Sequence, residues 1–270
     1  LSNITICSDE FFTSLLTTNG ASVVADRWDI SLVSQDVNLT GTPTTGTGLA
    51  TGALSGDSFT NTSNTTGKVI YQVIPFSAAP ENCAGDAFDI EVTVDPEPVT
   101  EPSLSSITAC SNDPIGIVLL TNGVSVTADR WDISLLSQAA GVTGTPTTGL
   151  GLASTAIQND MFNNTNSLSG DVVYRVTPIS ASPADCSGDP FDITVTIEPQ
   201  PTMAINNLIT ELCSGSSTNI ELSSTTNNSI ITLDAVTNST NVSGYTTPGV
   251  TFTPGAGISI ITDALINNTD

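Results

Sequence analysis

The segment Asp26–Leu32, which reads DRWDISL, returns unchanged at Asp129–Leu135. Apolar and polar residues alternate along it, so Trp28, Ile30 and Leu32 share one side of an extended chain. This period of two is typical of a β-strand that faces a core on one side and water on the other. The segment therefore predicts a half-buried strand in each of two similar units, and each strand needs a second layer to cover its apolar face.

The similarity extends over a repeat of 103 residues, with no insertion between the first two units. The same offset aligns Cys7 with Cys110 and Cys83 with Cys186. Cys213 follows Cys110 by another 103 residues and marks a third, divergent unit. A period of this kind indicates tandem domains rather than one large core.

Two proline-spaced segments, Val94–Val99 and Ile197–Thr202, mark the boundaries between these units. Each proline fixes φ, removes a backbone donor and keeps the preceding residue extended. We therefore expect domains at 1–98 and 99–201 and an incomplete third domain at 202–270, joined by short linkers into a rod. A strand from the same chain or from a neighbouring subunit would complete the third domain.

The fold class follows from several short strands within each unit. Phe88–Val94 alternates like the opening segment, whereas Gly67–Val73 is more continuously apolar, as in a central strand. Asn19-Gly20 is a hairpin-type turn signal. The sequence thus predicts an all-β protein of tandem immunoglobulin-like β-sandwiches, with a barrel as the alternative.

One tryptophan and one tyrosine in each full repeat are candidate core residues. Trp28 and Trp131 lie mid-strand on the inward-facing side, and Tyr71 and Tyr174 lie in the predicted central strands. We expect all four to anchor the cores rather than to form a sugar-stacking platform.

Composition excludes several classes of function. Four basic residues against 27 acidic ones give a formal net charge of -23, which opposes binding to nucleic acid or to an anionic membrane surface. There is no histidine, so Ser-His-Asp and Cys-His catalysis and histidine zinc sites are excluded. The sequence contains no stretch of about 18 apolar residues, so it predicts no membrane-spanning segment. We expect no catalytic, cofactor-binding or metal-binding residue, and no enzyme.

The cysteines are the residues whose chemistry the sequence makes most prominent. Cys83 comes just before the last strand of its repeat, at the pole where the chain enters the domain, and Cys7 precedes the first long strand. Placing both at the same pole predicts disulfides Cys7–Cys83 and Cys110–Cys186, with the partner of Cys213 outside this sequence. Such bonds imply an oxidising, extracellular compartment.

Charged residues near the boundaries suggest two weaker sites. Asp95, Glu97 and Glu101 could together bind calcium and stiffen the first linker, although the second linker keeps only Glu198. The Asp-Arg-Trp-Asp motif predicts exposed ion pairs between its arginine, Arg27 or Arg130, and the aspartates beside it, which contribute little to stability.

Four segments carry a resemblance to a known family: Val172–Pro178, Cys186–Gly188, Phe191–Pro201 and Cys213–Leu222. They resemble the PKD-like, immunoglobulin-like repeats of Bacteroidota cell-surface proteins, which include giant gliding-motility adhesins exported by the type IX secretion system. The resemblance covers both full units and part of the third.

This resemblance implies a structural and adhesive segment of a long secreted protein at the cell surface, in a stalk, an adhesin or a filament for gliding or attachment. The partners implied are neighbouring repeats of the same chain, surface polysaccharide or other adhesin subunits. The alternative is a carbohydrate- or calcium-binding surface module.

Overall fold

Twenty-one short strands and no α-helix occur in the residues that the structure describes, namely 3–13, 15–206, 209–226, 228–254 and 257–269. The structure is a computed structural model. In these ranges no helix is long and apolar enough to cross a membrane. The predicted all-β class is confirmed, as sheets of tandem immunoglobulin-like domains.

The first repeat contains seven strands. They are β1 (Asn3–Cys7), β2 (Arg27–Gln35), β3 (Leu39–Thr40), β4 (Gly46–Leu49), β5 (Thr60–Asn61), β6 (Gly67–Phe76) and β7 (Phe88–Asp95). One sheet has the order β1-β7-β6-β2-β4, and β3 pairs with β5 in a second ladder. β6 pairs antiparallel with both β2 and β7, so the continuous apolar strand lies at the centre, as its sequence predicts.

The second repeat reproduces this arrangement with every boundary shifted by 103 residues. Its strands are β8 (Ser106–Cys110), β9 (Arg130–Gln138), β10 (Val142–Thr143), β11 (Gly149–Leu152), β12 (Asn163–Asn164), β13 (Gly170–Ile179) and β14 (Phe191–Glu198). The sheet order β11-β9-β13-β14-β8 is the same as in the first repeat, and β10 pairs with β12. The sequence repeat is thus a structural repeat.

The third unit has shorter strands. They are β15 (Met203–Asn206), β16 (Ile220–Ser224), β17 (Ile231–Thr232), β18 (Val242–Ser243), β19 (Thr251–Phe252), β20 (Ile258–Ile261) and β21 (Ile266–Asn267). Val242 pairs with Asn267 as Val142 pairs with Asn164. The offset is therefore 100 residues at Val242, and it returns to 103 at Asn267.

Each full repeat has its own apolar core. Trp28, Tyr71, Trp131 and Tyr174 all lie in these cores, and none is more than 5% exposed. The burial of alternate residues in the opening segment ends early, however, because Leu32 is 41% exposed although it lies opposite the buried Tyr71. The register of β2 against β6 shifts directly after this residue, between Leu32 and Ser34.

A buried polar group accompanies each core. The Tyr71 hydroxyl donates to the carboxylate of Asp57, which also accepts the Thr44 backbone N–H at 3.0 Å. Burial, followed by the hydrogen bond and the charge of Asp57, raises the pKa of Tyr71 far above its usual range. The second repeat contains the same group, made of Tyr174, Asp160 and Thr147.

Candidate functional site: the junction between the repeats

The direction of β1 decides where the first cysteine lies. β1 runs parallel to β7, with Cys7 opposite Asp95 at the end of that strand. Since β7 ends where the chain leaves the repeat, Cys7 lies at the exit pole. The prediction that Cys7 shares the entry pole with Cys83 is therefore wrong.

The structure joins the two repeats by a disulfide between Cys7 and Cys186, with a Cα–Cα distance of 5.5 Å. The other three cysteines, Cys83, Cys110 and Cys213, are exposed thiols. The predicted pairs Cys7–Cys83 and Cys110–Cys186 are not formed, because the two cysteines of one repeat lie at opposite poles. A bond from the exit pole of one repeat to the entry pole of the next takes their place.

A local signal for this arrangement exists in the sequence. Ile4-Thr5-Ile6 alternates like a strand, and that strand ends at Cys7 instead of following it. Because this strand runs from one pole of the domain toward the other, Cys7 at its C-terminal end lies at the pole opposite its first residue. The alternation does not reveal which neighbour the strand pairs with, and the parallel pairing with β7 is what sets the pole.

The loop that carries Cys186 is closed on itself. The Ser180 N–H donates to the Cys186 carbonyl, and the Cys186 N–H donates to the Ser180 hydroxyl, both at 2.9 Å. Ser77 and Cys83 make the same two bonds in the first repeat, at 2.9 and 3.0 Å. Both entry-pole cysteines are thus held in the same local geometry, although only Cys186 is bonded.

The arginine of the Asp-Arg-Trp-Asp motif supports this loop. Arg130 Nη1 lies 3.0 Å from Asp185 Oδ1 in the loop, and 3.9 Å from Asp129 Oδ2. Arg27 Nη1 likewise donates to Asn82 Oδ1 at 2.9 Å. The predicted exposed ion pair with the preceding aspartate is therefore only part of its role.

The second aspartate of the motif has a different partner. Asp29 accepts the N–H of Gly48, and Asp132 accepts that of Gly151, each at 2.7 Å. These bonds hold β4 and β11 at the sheet edge beside the arginines, since a carbon added at Gly48 would lie 3.7 Å from Arg27 Cδ. The motif therefore orders the edge of the sheet and the cysteine loop together.

The linker after β7 packs along the second repeat. The Val99 N–H donates to the Ser125 hydroxyl, and its carbonyl accepts the Asn122 N–H, both at 2.9 Å. A side-chain carbon added at Gly188 would lie 1.8 Å from the carbonyl oxygen of Pro98. Glycine at this position lets the linker approach the loop that follows Cys186.

Two other carboxyl groups, those of Asp9 and Asp189, act on Glu97 at the same junction. Burial raises the pKa of Glu97 to about 7, and the charges of Asp9 and Asp189, with a hydrogen bond to Asp9, add to this effect. In the second repeat the positions of Asp9 and Glu97 are taken by Asn112 and Gln200, whose side chains hydrogen-bond at 3.4 Å. A hydrogen bond between Glu97 and Asp9 likewise needs a donor, and Glu97 supplies one only when it is protonated.

The other residues of the predicted calcium site lie in different surroundings. Glu101 accepts the Ser103 N–H at the start of a short 3-10 helix, Pro102–Ser105, and the Asp95 carbonyl accepts the Ser8 N–H. Among the described residues no group of three acidic or cysteine side chains is placed to hold a metal ion. Calcium binding remains a prediction.

This geometry can fix one domain against the next. It combines a covalent bond, a paired linker and a contact that depends on the protonation of Glu97. The side chains at the junction are bonded to backbone groups, to each other or through the disulfide. Each of these interactions restrains the motion of one domain relative to the next.

Comparisons with solved structures concern the fold alone. The N-cadherin EC1-4 structure from Drosophila is 10% identical, with a TM-score of 0.26, and the match covers 98% of this chain and 65% of that one. Protocadherin gammaB7 EC3-6 is 11% identical, with a TM-score of 0.27 over 73% of this chain, which spans 49% of that structure.

A third match is BT4661, a SusE-like surface-located polysaccharide-binding protein from the heparin utilisation locus of Bacteroides thetaiotaomicron. It is 10% identical, with a TM-score of 0.22, and the match covers 73% of this chain and 88% of that one.

Sequence comparison identifies the family. A search of curated protein sequences gave no match. The profile of the PKD-like domain matches twice, over residues 4–98 and 107–201, and these two matches include both cysteines of the disulfide and most of the chain. The chain therefore belongs to the PKD-like domain family.

Proposed function

We propose that the chain is a structural and adhesive segment of an extracellular protein, in which PKD-like repeats are joined end to end and locked by disulfides. The bond between Cys7 and Cys186 carries this proposal, because it links two successive domains. A load applied along the array then passes through a covalent bond and a paired linker together.

The location and the wider role belong to the same proposal. A stable disulfide favours an oxidising compartment outside the cytosol, and a formal charge of -23 suits a solvated surface array. We propose that the array acts as a stalk, an adhesin or a filament at the cell surface, in attachment or gliding, and that its contacts are with surface polysaccharide or other subunits.

A catalytic role is not part of the proposal, since the chain lacks histidine and its junction residues restrain domains. The carbohydrate-binding alternative would need an aromatic surface that both repeats keep. Phe11 is 61% exposed in the first repeat, but Pro114 stands at its place in the second. That difference favours the structural role.

Small-angle X-ray scattering of the oxidised chain tests the proposal. End-to-end units, each about 33 Å long from strands of ten residues, predict a radius of gyration of about 30 Å. A single compact globule of this length would give about 18 Å, and that value would contradict the proposal. Cys7→Ser should broaden the distance distribution by loosening the junction, whereas Cys83→Ser, which breaks no bond, should not.

A further inference from the structure

We propose that the entry pole of the first repeat is a docking site for the exit end of a further PKD-like repeat, joined ahead of it in the chain, and that Cys83 bonds to that repeat. This inference deepens the proposed function, because it assigns an interaction surface and a bonding residue to the array. It rests on the similarity of two surfaces. One is an open groove at the entry pole of the first repeat, and the other is the same surface of the second repeat, which the linker occupies.

The groove lies beside the exposed thiol of Cys83. It is a cavity of about 480 Å³, lined by Thr18, Ser22, Pro75, Phe76, Cys83 and Gly85 among others. A second cavity of about 540 Å³ shares Thr18, Ser22, Pro75 and Gly85 with it and extends to Asn19 and Asp86. The two form one continuous depression at the entry pole.

The residues that line this depression are those that hold the linker in the second repeat. Shifted by 103 residues, Asn19, Ser22, Cys83 and Gly85 become Asn122, Ser125, Cys186 and Gly188. At the junction, Asn122 and Ser125 hydrogen-bond to Val99, Gly188 receives Pro98, and Cys186 bonds to Cys7. The second repeat thus shows what fills this surface.

The space for a linker is open in the first repeat. A carbon added at Gly85 would have its three nearest contacts with Pro75 alone, the closest at 2.8 Å. At Gly188 the corresponding carbon would lie 1.8 Å from the Pro98 carbonyl. Both surfaces therefore have a glycine at this position, but only the surface at Gly188 is covered by the linker.

The repeats also carry complementary cysteines. Cys110 lies opposite Glu198 at the end of the parallel pair β8 and β14, which is the exit position that Cys7 occupies in the first repeat. Each full repeat therefore presents one exit cysteine and one entry cysteine. The observed bond joins exit to entry, so the open partner for Cys83 is an exit cysteine.

The bond requires an external oxidant, for which a low-molecular-weight disulfide suffices. The exit thiolate attacks one sulfur of oxidised glutathione and releases one glutathione thiolate. The Cys83 thiolate then attacks the protein sulfur of this mixed disulfide and releases the second glutathione. Two thiols are oxidised, one glutathione disulfide is reduced to two thiols, and atoms and electrons balance.

An extended chain tests the proposal: a second copy of residues 1–103 is fused ahead of the full 270-residue chain, which continues the repeat in register. After oxidation with glutathione, we expect mass spectrometry to find Cys7 of the added copy linked to Cys83 of the original first repeat. Alkylation of that Cys83 by N-ethylmaleimide should fall by about tenfold or more, because the linker makes the reaction intramolecular.

Two variants of the fusion serve as controls. Cys7→Ser in the added copy should restore alkylation of Cys83. Gly85→Ala in the original first repeat should reduce formation of the new bond, while the original Cys7–Cys186 bond, which reports correct folding, still forms. Loss of the new bond in Gly85→Ala with normal folding would support docking of the linker in the groove.

Two results would overturn the proposal. One is full alkylation of Cys83 in an oxidised fusion that contains the original Cys7–Cys186 bond. The other is a bond between Cys83 and Cys110 of a second molecule, which would make the groove an interface between copies. Either result would leave the scattering prediction for the 270-residue chain untouched, so the two proposals fail separately.

Discussion

Asp57 is a carboxylate that is 6% exposed, and its stability inside the domain depends on its hydrogen-bond donors. Burial of a charge is costly unless donors compensate for it. Tyr71 supplies one donor, and Thr44 supplies its backbone N–H and its hydroxyl. The tyrosine is therefore both a core residue and the partner of a buried acid.

Tyr71→Phe should lower the free energy of unfolding of the first repeat by about 1–3 kcal/mol, because it leaves Asp57 with an unmet acceptor. Urea unfolding followed by tryptophan fluorescence would measure the loss. Tyr245→Phe, in the third unit, is the control, since it removes no donor from the Asp57 carboxylate and should leave the tryptophan-detected transition unchanged. Equal stability of the Tyr71 and Tyr245 variants would contradict this role of the tyrosine.

Glu97 makes stability depend on pH. Its pKa is about 7 in the folded protein, above its ordinary value of 4.5, so the folded state retains a proton that the unfolded state releases. This contribution is complete below about pH 4.5 and is lost as the pH rises through about 7. Because the side chain is partly exposed, its effect is moderated by solvent.

Glu97→Gln should stabilise the chain by about 1 kcal/mol at pH 8 and leave it nearly unchanged at pH 5, because the amide supplies a donor without a charge. Urea midpoints at the two pH values would measure the difference. Glu81→Gln, at an exposed carboxylate, should change stability equally at both. A pH-independent effect of Glu97→Gln would exclude the shared proton.

For single residues, the sequence predicts which strand side chains are buried in the core. Strand parity predicts the burial of Trp28 and Tyr71, since one face of a strand must enter the core. It does not predict the burial of Asp57, which lies outside the strands, because the tyrosine that donates to it lies on β6. Likewise, the proton shared by Glu97 depends on Asp9, which only the fold brings near.

The elements of the junction show why a single carbon at Gly188 matters. The linker crosses directly over this glycine, and Pro98 occupies the space of a side chain. Gly85 is in the same loop position of the first repeat and has no linker above it. The pair forms a matched comparison within one chain.

Gly188→Ala should reduce the equilibrium constant for closing the Cys7–Cys186 bond in a glutathione buffer by roughly tenfold, because the linker must move to relieve the overlap. Gly85→Ala should leave it unchanged. Quantitative alkylation of Cys7 at a series of glutathione ratios gives both constants. Equal effects of the two substitutions would show that the linker does not pack on Gly188.

Strand positions were easier to predict than strand pairing. The alternation of β2 and β7 and the continuous apolar run of β6 identify them as strands, because both patterns are local properties. The parallel pairing of β1 with β7 joins residues almost a whole repeat apart, and local periodicity contains no information about it. The wrong pole for Cys7 follows from this single missing contact.

At the scale of the whole molecule, the repeats behave as linked units. A closed loop of about 180 residues between Cys7 and Cys186 corresponds to about 5 kcal/mol in the chain-entropy estimate. The tandem architecture was visible in the 103-residue period, because a segment that recurs at a constant offset indicates repeated domains. The cross-link between domains was not visible in the sequence, since a pair of cysteines in each full repeat fits both intra-repeat and inter-repeat bonding.

Peptide mapping of the non-reduced chain tests the central claim most directly. Free thiols are alkylated first, and digestion with pepsin at low pH then keeps thiols protonated and slows disulfide exchange. We expect one cross-linked species, joining Cys7 to Cys186, with Cys83, Cys110 and Cys213 alkylated. Cross-linked peptides joining Cys7 to Cys83 and Cys110 to Cys186 would contradict the account.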